Sequence, residues 1–459
     1  MSDLTRIVKA YDVRGTVPDQ INEGVAEAIG AAFVQTLGPD TDRIVVAHDM
    51  RESSPGLTEA FARGARAAGV DVINAGLGST DLLYYASGSL DLPGAMFTAS
   101  HNPAQYNGIK MCRSGAKPIG QDTGLAEIRD RAQAILDGKP ATADRQGSIE
   151  TRDVLVEYAR HLRTLVDLSG IRRLKVVVDA GNGMAGYTVP AVLGDSKLDP
   201  LPLEIVPLYF ELDGSFPNHE ANPLEPANLV DLQAAVREHG ADIGLAFDGD
   251  ADRCFVVDEL GEPVSPSAVT ALVAVRELAK HPGSTVIHNL ITSHAVPEIV
   301  SENGGTPVRT RVGHSFIKAE MASTGAVFGG EHSAHYYFRD FWGADTGMLA
   351  AMHVLAALGE QGLPLSHLAR EYSRYAASGE INSTVSDQAG RMAAVESQFQ
   401  GRDGVSIDHL DGLTIVLPDG SWANLRPSNT EPLLRLNVEG ATEAEMASLR
   451  DEILALVRA

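Results

Sequence analysis

The sequence predicts an α/β protein with three successive α/β units followed by a smaller α+β unit. Apolar runs typical of buried parallel strands alternate with segments of helical periodicity up to about residue 372. From Ser373 onwards the strand-like segments alternate polar and apolar residues, which is typical of an antiparallel sheet. The 459 residues also suit three or four domains of ordinary size. We therefore expect domains at residues 1–150, 151–257, 258–372 and 373–459.

The first unit begins with a helix and continues with short strands. Val25, Ile29, Phe33 and Leu37 recur every four residues, so they form one apolar stripe along a helix. The last predicted strand of the unit opens directly onto a polar loop. Predicted strands are Arg43–Ala47, Val70–Asn74 and Gly94–Phe97, and further predicted helices are Leu57–Ala68 and one from Leu125 to near Gly138.

The later units repeat this order of strand and helix. Leu174–Val178 has few polar positions, as expected for a parallel strand that is covered on both faces. A helix is predicted from about Pro226 to His239, with Asn228 as a candidate cap. The other predicted strands are Ile205–Tyr209, Ile243–Phe247, Thr285–His288, Leu413–Leu417 and Leu433–Val438. The other predicted helices are one through Tyr158, Leu162 and Leu165 that ends at Ser169–Gly170, Ala268–Ala279, one after Gly347 and Glu443–Val457.

Charge and cysteine content exclude several classes of protein. There are 37 Lys and Arg against 61 Asp and Glu, and the net charge of -24 argues against nucleic acid or a membrane surface as a partner. Cys112 and Cys254 are too few for a disulfide framework or a four-ligand zinc site, so we expect buried, reduced thiols. The N-terminus has no apolar signal segment, and no run approaches the roughly 18 apolar residues of a membrane span. The expected location is the cytoplasm.

A serine lies in the polar loop Thr98–Pro103, directly after a predicted strand. In that position Ser100 is well placed to be exposed and to accept a phosphate. A simple turn, in which Ser100 and Asn102 bond the backbone, explains the same residues. A serine hydrolase is disfavoured because the G-x-S-x-G turn is absent and the adjacent His101 cannot also face the serine as its base.

Three carboxylates follow the predicted strand Ile243–Phe247 at alternate positions, namely Asp248, Asp250 and Asp252. Such a cluster repels itself unless a cation binds, and hard oxygen ligands with room for water or phosphate suit Mg²⁺. A calcium loop of the EF-hand type is the alternative, but its sixth position is Arg253 where glycine is required. A solvated acidic turn also remains open.

Three further segments carry polar or glycine-rich motifs. Arg426–Pro432 combines a guanidinium, hydroxyls and an amide, which suits a phosphate, or else it is a proline-framed turn. In Gly330–His335, a carboxylate and a hydroxyl two residues apart would point the same way if extended and could bind sugar hydroxyls. Zinc is disfavoured there because the spacing is not H-E-x-x-H. Gly181–Gly186 fits G-x-G-x-x-G, but without a clear acidic partner we interpret it as a tight strand-to-helix turn.

Five motifs, in their order along the chain, resemble those of the α-D-phosphohexomutase superfamily, and in particular its bacterial phosphomannomutase/phosphoglucomutase branch. The resemblance extends over essentially the whole chain. It implies three similar mixed-sheet α/β domains and a C-terminal α+β domain around a central cleft. The motifs are Tyr11–Gly15, Thr98–Pro103, Asp248–Arg253, Gly330–His335 and Arg426–Pro432.

The resemblance also implies a reaction and the residues that perform it. A phosphoserine donates its phosphoryl group to a hexose phosphate, forms a hexose 1,6-bisphosphate, and takes back the other phosphate. The implied residues are Arg14, His101 and Lys110 at the reaction centre; Ser100, Asp248, Asp250 and Asp252 at Mg²⁺; His314, Glu331 and Ser333 at the sugar; and Arg426, Ser428, Asn429 and Thr430 at the phosphate that is not transferred.

Substrate preference and the general base stay open at this stage. The expected substrates are the mannose phosphates, with the glucose phosphates as further candidates, and phosphoglucosamine mutase is the alternative. An NAD-dependent oxidoreductase and a non-catalytic calcium-binding protein are kept from other classes. His101, Lys110 and His335 are candidate bases. Some relatives carry a lysine where this chain continues after residue 288 with Asn-Leu-Ile, and Arg309 or Arg311 could substitute for it. The oligomeric state is not predicted.

Overall fold

The computed structural model describes residues 3–139, 141, 143–428 and 433–459. By the density of its internal contacts the chain divides into two compact units. The first unit comprises residues 1–264 and 333–366, and the second comprises residues 265–332 and 367–459. Each contains sheets packed against helices, so the α/β class expected from the sequence is confirmed.

Helices occur throughout both units. Those of the first unit are Glu23–Leu37, Ser54–Ala67, Thr80–Leu90, Leu125–Leu136, Leu155–Leu165, Ala185–Val192, Val230–His239 and Gly347–Gly359; those of the second are Pro266–Lys280, Ala295–Glu302, His314–Thr324, Gln388–Phe399 and Glu443–Val457; Leu365–Tyr372 spans the boundary. Short 3-10 helices are Leu4–Arg6, Gln121–Thr123, Pro226–Leu229 and Arg339–Phe341.

The first unit holds two mixed sheets and a hairpin. The larger sheet has the strand order Val13–Thr16, Tyr106–Arg113, Gly94–Phe97, Arg43–His48, Asp71–Leu77, Ile149–Thr151, with Lys117–Pro118 beside Tyr106–Arg113. The second has the order Pro263–Val264, Cys254–Asp258, Ile243–Phe247, Leu174–Asp179, Leu203–Leu208. Each sheet combines parallel and antiparallel pairs. The antiparallel hairpin is Tyr336–Phe338 with Ala344–Asp345.

The second unit holds a parallel group of strands and an antiparallel sheet. The parallel strands, in order, are Thr306–Thr310, Thr285–Asn289 and Phe328–Gly330. The antiparallel sheet has the order Ala376–Ala377, Leu433–Gly440, Trp422–Pro427, Leu413–Val416, Ser406–Asp408, with Ile381–Thr384 also paired to Leu433–Gly440. Thus the change from parallel to antiparallel strands predicted near Ser373 is confirmed.

Local predictions differ mainly at the ends of elements. Ile243–Phe247 and Glu443–Val457 have the predicted bounds. Asn228 is not the cap of a long helix, because residues 226–229 form a 3-10 helix that leads into Val230–His239. The strand predicted to reach Tyr209 ends one residue earlier, where Tyr209 takes the left-handed conformation with φ 55°. The two cysteines are free and buried, as expected.

One further prediction concerns membranes. Among the described residues, no helix combines the length and the hydropathy that a membrane crossing requires.

Candidate active site

The serine loop starts where strand Gly94–Phe97 ends. Ser100 is 5% exposed and has φ 50°, a left-handed conformation that a non-glycine residue adopts at a cost. Its Oγ donates a hydrogen bond to Oδ2 of Asp248 at 2.7 Å, and its backbone N–H donates to Oγ1 of Thr98 at 2.9 Å. The serine hydroxyl therefore faces the acidic loop, and the interpretation as a simple turn does not account for that contact.

The three aspartates form one buried cluster at the carboxyl end of strand Ile243–Phe247. Asp248, Asp250 and Asp252 are each at most 1% exposed, and each offers an oxygen within 4.8 Å of the others. Nζ of Lys110 donates to Oδ2 of Asp250 at 2.7 Å and to Oδ2 of Asp252 at 2.6 Å. Oδ1 of Asp250 and Oδ1 of Asp252 are buried and have no hydrogen-bond partner among the described residues. This is not a solvated acidic turn.

Burial and neighbouring charges set the ionisation of this cluster. Burial raises the pKa of Asp248 to about 7; Arg253 opposes this shift, and the neighbouring Asp252 and Asp250 reinforce it. Burial alone would raise the pKa of Asp250 as well, but Lys110 lowers it below its usual value. Burial likewise opposes the charge on Lys110, yet Asp250 and Asp252 raise the pKa of Lys110 well above its usual value. The lysine is therefore held as a cation.

Two arginines and a histidine complete the site around the serine. Arg253 donates to Oδ2 of Asp248 from Nε at 2.9 Å, and its Nη2 lies 2.6 Å from Nδ1 of His101. A guanidinium only donates, so Nδ1 of His101 accepts and the ring is neutral. Burial, Arg253 and Arg14 each lower the pKa of His101, to well below its usual value. Arg14 donates to Oδ1 of Asn102 at 2.6 Å.

The backbone of the serine loop packs directly on the backbone of the acidic loop. A methyl group placed on Gly249 would lie 2.4 Å from the carbonyl oxygen of Ser100. On its other side, a methyl group on Gly183 would lie 2.7 Å from the carbonyl oxygen of Gly249. The G-x-G-x-x-G segment thus forms the strand-to-helix turn expected from the sequence, and the protein's own backbone approaches it closely.

The structure also bears on the calcium-loop alternative. Glu259, which would be the last ligand of an EF-hand, accepts hydrogen bonds from the backbone N–H and Oγ of Ser366 at 3.0 and 2.5 Å. The flanking segments are the buried strands Ile243–Phe247 and Cys254–Asp258. An EF-hand requires helices on both sides of its loop, so that alternative is wrong.

The predicted sugar-binding segment is divided between the two units. In the second unit, Oε1 of Glu331 accepts hydrogen bonds from Nδ2 of Asn289 at 3.2 Å and from the N–H of Gly313 at 3.1 Å. In the first unit, Oγ of Ser333 lies 3.0 Å from Nδ1 of His335. Residues 332–334 form a turn, and Ala334 has φ 64°, so the segment is not extended and the argument from side chains on one side of a strand does not apply.

The predicted phosphate-binding loop is described only in part. Arg426 lies in the antiparallel sheet, 3.7 Å from Oε2 of Glu380 and 3.9 Å from Oδ2 of Asp411. The backbone N–H of Ser428 donates to the carbonyl of Leu433 at 2.8 Å. Asn429 and Thr430 lie outside the described residues. His314 is the first residue of helix His314–Thr324.

Sequence reasoning missed two residues that support the site. Oγ1 of Thr80 donates to Oδ2 of Asp250 at 2.6 Å, and it follows strand Asp71–Leu77 at the same kind of strand end as the serine loop. That position was a signal that could have been used. Arg51 donates hydrogen bonds to backbone carbonyl groups of the serine loop. Nothing in its local sequence distinguishes it from a surface arginine.

Comparison with protein families covers nearly the whole chain. Four models of the phosphoglucomutase/phosphomannomutase family match in order: the α/β/α domains I, II and III at residues 5–138, 156–261 and 265–375, and the C-terminal domain at residues 380–456. The chain belongs to the phosphoglucomutase/phosphomannomutase family. The superfamily resemblance found in the sequence, and the fold of three α/β domains and a C-terminal domain, are thereby confirmed.

Individual family members are similar over their full length. A phosphomannomutase of Salmonella montevideo is 40% identical over 460 residues, which cover 100% of both chains. A Xanthomonas campestris protein named for phosphohexose mutases is 42% identical over 456 residues, or 98% of each chain. Among solved structures, a phosphoglucomutase/phosphomannomutase family protein from Burkholderia thailandensis has a TM-score of 0.86 and 32% identity, covering 100% of this chain and 98% of its own.

Proposed function

We propose that this family member is a Mg²⁺-dependent mutase that interconverts mannose 6-phosphate and mannose 1-phosphate, and also the corresponding glucose phosphates. The phosphoryl group passes through Ser100 and a hexose 1,6-bisphosphate. The observation that supports this most directly is the 2.7 Å contact between Oγ of Ser100 and the buried aspartate cluster. A nucleophilic hydroxyl beside clustered carboxylates suits phosphoryl transfer, where positioning and charge neutralisation supply most of the acceleration.

A divalent cation fits the aspartate cluster. Oδ1 of Asp250 and Oδ1 of Asp252 are buried and accept no hydrogen bond from the described residues, and a cation would satisfy both. Asp248, Asp250, Asp252 and an oxygen on Ser100 would hold it, and hard oxygen ligands with positions left for water or phosphate suit Mg²⁺. When bound, the ion would neutralise charge on the phosphoryl group. Lys110 and Arg253 are charged donors of the chain itself for the same group.

The geometry favours His335 among the three candidate bases. Lys110 is held as a cation by two carboxylates, so it donates and does not accept a proton. The Nδ1 lone pair of His101 is engaged by Arg253. His335 has Nδ1 beside Oγ of Ser333, and its Nε2 lies 3.8 Å from Oδ1 of Asp252 with 21% of the side chain exposed. A proton from a sugar hydroxyl would therefore pass to His335.

Sugar and distal-phosphate recognition is proposed for the segments around Glu331 and Arg426. Two N–H donors orient the carboxylate of Glu331, and a carboxylate can accept hydrogen bonds from sugar hydroxyls. Ser333 and His314 are further proposed sugar-binding residues. Within the part of the chain that the structure describes, the carboxylates that face Arg426 lie at 3.7 and 3.9 Å. Its guanidinium is therefore proposed to bind a phosphate, with Ser428, Asn429 and Thr430 beside it in sequence.

Arg311 is the better of the two candidates for the positive charge that some relatives supply with a lysine after residue 288. Arg309 donates to Oδ2 of Asp408 at 2.8 Å and lies 3.3 Å from Oγ1 of Thr414. Arg311 lies over the ring of Phe316 at 4.6 Å from its centroid, two residues from the N–H of Gly313 that binds Glu331. Arg309 is thus bound to a carboxylate, whereas the contact of Arg311 is with an aromatic ring.

A coupled assay of purified protein tests the proposal. Activity is measured on the 1-phosphates of mannose, glucose and glucosamine, with hexose 1,6-bisphosphate as activator, before and after removal of divalent ions by EDTA. Turnover of the mannose and glucose pairs should stop with EDTA and return with Mg²⁺. Ser100→Ala should lose nearly all activity, while the exposed control Ser169→Ala keeps it. Preferential turnover of glucosamine phosphate would instead support the alternative substrate, and full activity of Ser100→Ala would refute the mechanism.

A further inference from the structure

The side chain of Arg51 is almost completely buried beneath the serine loop. It is 2% exposed, and a guanidinium has five N–H donors. Nε donates to Oδ2 of Asp49 at 3.2 Å. The remaining four hydrogen bonds run to backbone carbonyl oxygens, two from each terminal nitrogen. Nη1 donates to Pro103 and Tyr106, both at 3.0 Å, and Nη2 donates to Ser100 at 2.8 Å and to Asn102 at 2.7 Å.

We propose that Arg51 is a positioning residue for phosphoryl transfer, because its guanidinium fixes the backbone of residues 100–106 and so holds Oγ of Ser100 at the aspartate cluster. This inference rests on the proposed role of Ser100 as the phosphoryl carrier. Arg51 itself touches no reacting atom. It acts through the carbonyl groups of the loop that it binds.

The conformation of Ser100 explains why the loop needs such a support. A left-handed serine persists only where the surrounding structure over-determines it. The carbonyl group of Ser100 is held from two sides, by Nη2 of Arg51 at 2.8 Å and by the close backbone of Gly249. If one support is removed, the peptide can relax, and Oγ then moves with the backbone that carries it.

Pairing with Asp49 alone does not explain an arginine here. Asp49 also accepts hydrogen bonds from Oγ of Ser54 at 2.6 Å and from the backbone N–H of Arg51 at 3.0 Å. A lysine ammonium could therefore neutralise the charge of this carboxylate. A lysine has three donors on one nitrogen, whereas the planar fork of arginine reaches four carbonyl groups at once. A loop from the second α/β domain covers the pair: the ring of Phe216 lies 5.1 Å from Cζ of Arg51.

The test compares Arg51→Lys with the double variant Asp49→Asn/Arg51→Met. The double variant removes both charges of the buried ion pair, so that neither residue is left as a charge without its partner. A misplacement of about 1 Å can lower the rate about 100-fold. We therefore expect kcat to fall about 100-fold in both variants, while KM for the hexose phosphate changes less than about threefold. The rate at which hexose 1,6-bisphosphate phosphorylates Ser100, followed by mass spectrometry in a single turnover, should fall by the same factor.

A core variant of the same domain separates positioning from loss of stability. Phe61→Leu truncates a fully buried side chain that belongs to the hydrophobic core. It should lower the melting temperature yet keep the kcat of the wild type at 20–25 °C. A wild-type kcat in Arg51→Lys or in the double variant would overturn the inference, because a positive charge or a stable fold would then be enough for full activity. If Ser100→Ala is active, the proposed function fails; if Ser100→Ala is inactive and the Arg51 variants are active, only this inference fails.

Discussion

The contact between the serine loop and the acidic loop leaves no room for a side chain at Gly249. A methyl group there would lie 2.4 Å from the carbonyl oxygen of Ser100, so the two loops would have to separate by about 0.6 Å to reach 3.0 Å. The backbone φ of Gly249 is not in the left-handed range, so an alanine there meets a steric and not a conformational obstacle. The substitution Gly249→Ala therefore tests the spacing of the two loops directly.

The expected cost follows from that separation. A displacement approaching 1 Å between reacting groups lowers rates by up to about 100-fold, and overpacking a buried site costs about 1–3 kcal/mol of stability. We expect kcat of Gly249→Ala to fall between about 10-fold and 100-fold in the coupled mutase assay, with the melting temperature lowered by a few degrees. The control is Gly170→Ala, since a methyl group at Gly170 meets nothing within 4 Å. Activity of Gly249→Ala within twofold of the control would refute the reasoning.

Two other predictions concern charge. Lys110→Met should destabilise the metal-free protein by about 3–5 kcal/mol, because it removes the ammonium that the buried Asp250 and Asp252 share. Mg²⁺ should therefore raise the melting temperature of the variant more than that of the wild type, and an equal shift would contradict this. Asp81 is buried and accepts hydrogen bonds from the hydroxyls of Tyr158 and Thr346 at 2.7 Å. Burial raises the pKa of Asp81 from 3.8 to about 6, so the folded state binds this proton more tightly than the unfolded state. Wild-type stability should therefore fall by about 3 kcal/mol as the pH rises from 4 through 6, a loss absent from Asp81→Asn in urea unfolding; parallel pH profiles would contradict the assignment.

The sequence predicted the parts of the fold that depend on local pattern. Strand Ile243–Phe247 is a continuous apolar run, and helix Glu443–Val457 has a clear period, so both were predicted with their observed bounds. The aspartates were found because three carboxylates at alternate positions are unusual by themselves. The contact with Ser100 was not derivable from spacing, since 148 residues separate Ser100 from Asp248. It was implied only by the resemblance of the ordered motifs.

The supporting role of Arg51 could not be predicted because it depends on tertiary packing. Arg51 looks like a surface arginine in the sequence, and only the fold turns four carbonyl groups toward it. The left-handed φ of Ser100 is equally invisible, because serine gives no preference for it. The turn at residues 332–334 is not signalled by the sequence either, because a carboxylate and a hydroxyl two residues apart share one side only where the segment is extended.

The central claim is that the hydroxyl of one serine carries the phosphoryl group between the two ends of a hexose phosphate. Mass spectrometry after incubation with hexose 1,6-bisphosphate and Mg²⁺ measures this most directly. We predict one added phosphate that maps to Ser100 and is removed when excess mannose 1-phosphate is supplied. An active enzyme that never gains this phosphate, or that carries it on another residue, would contradict the account.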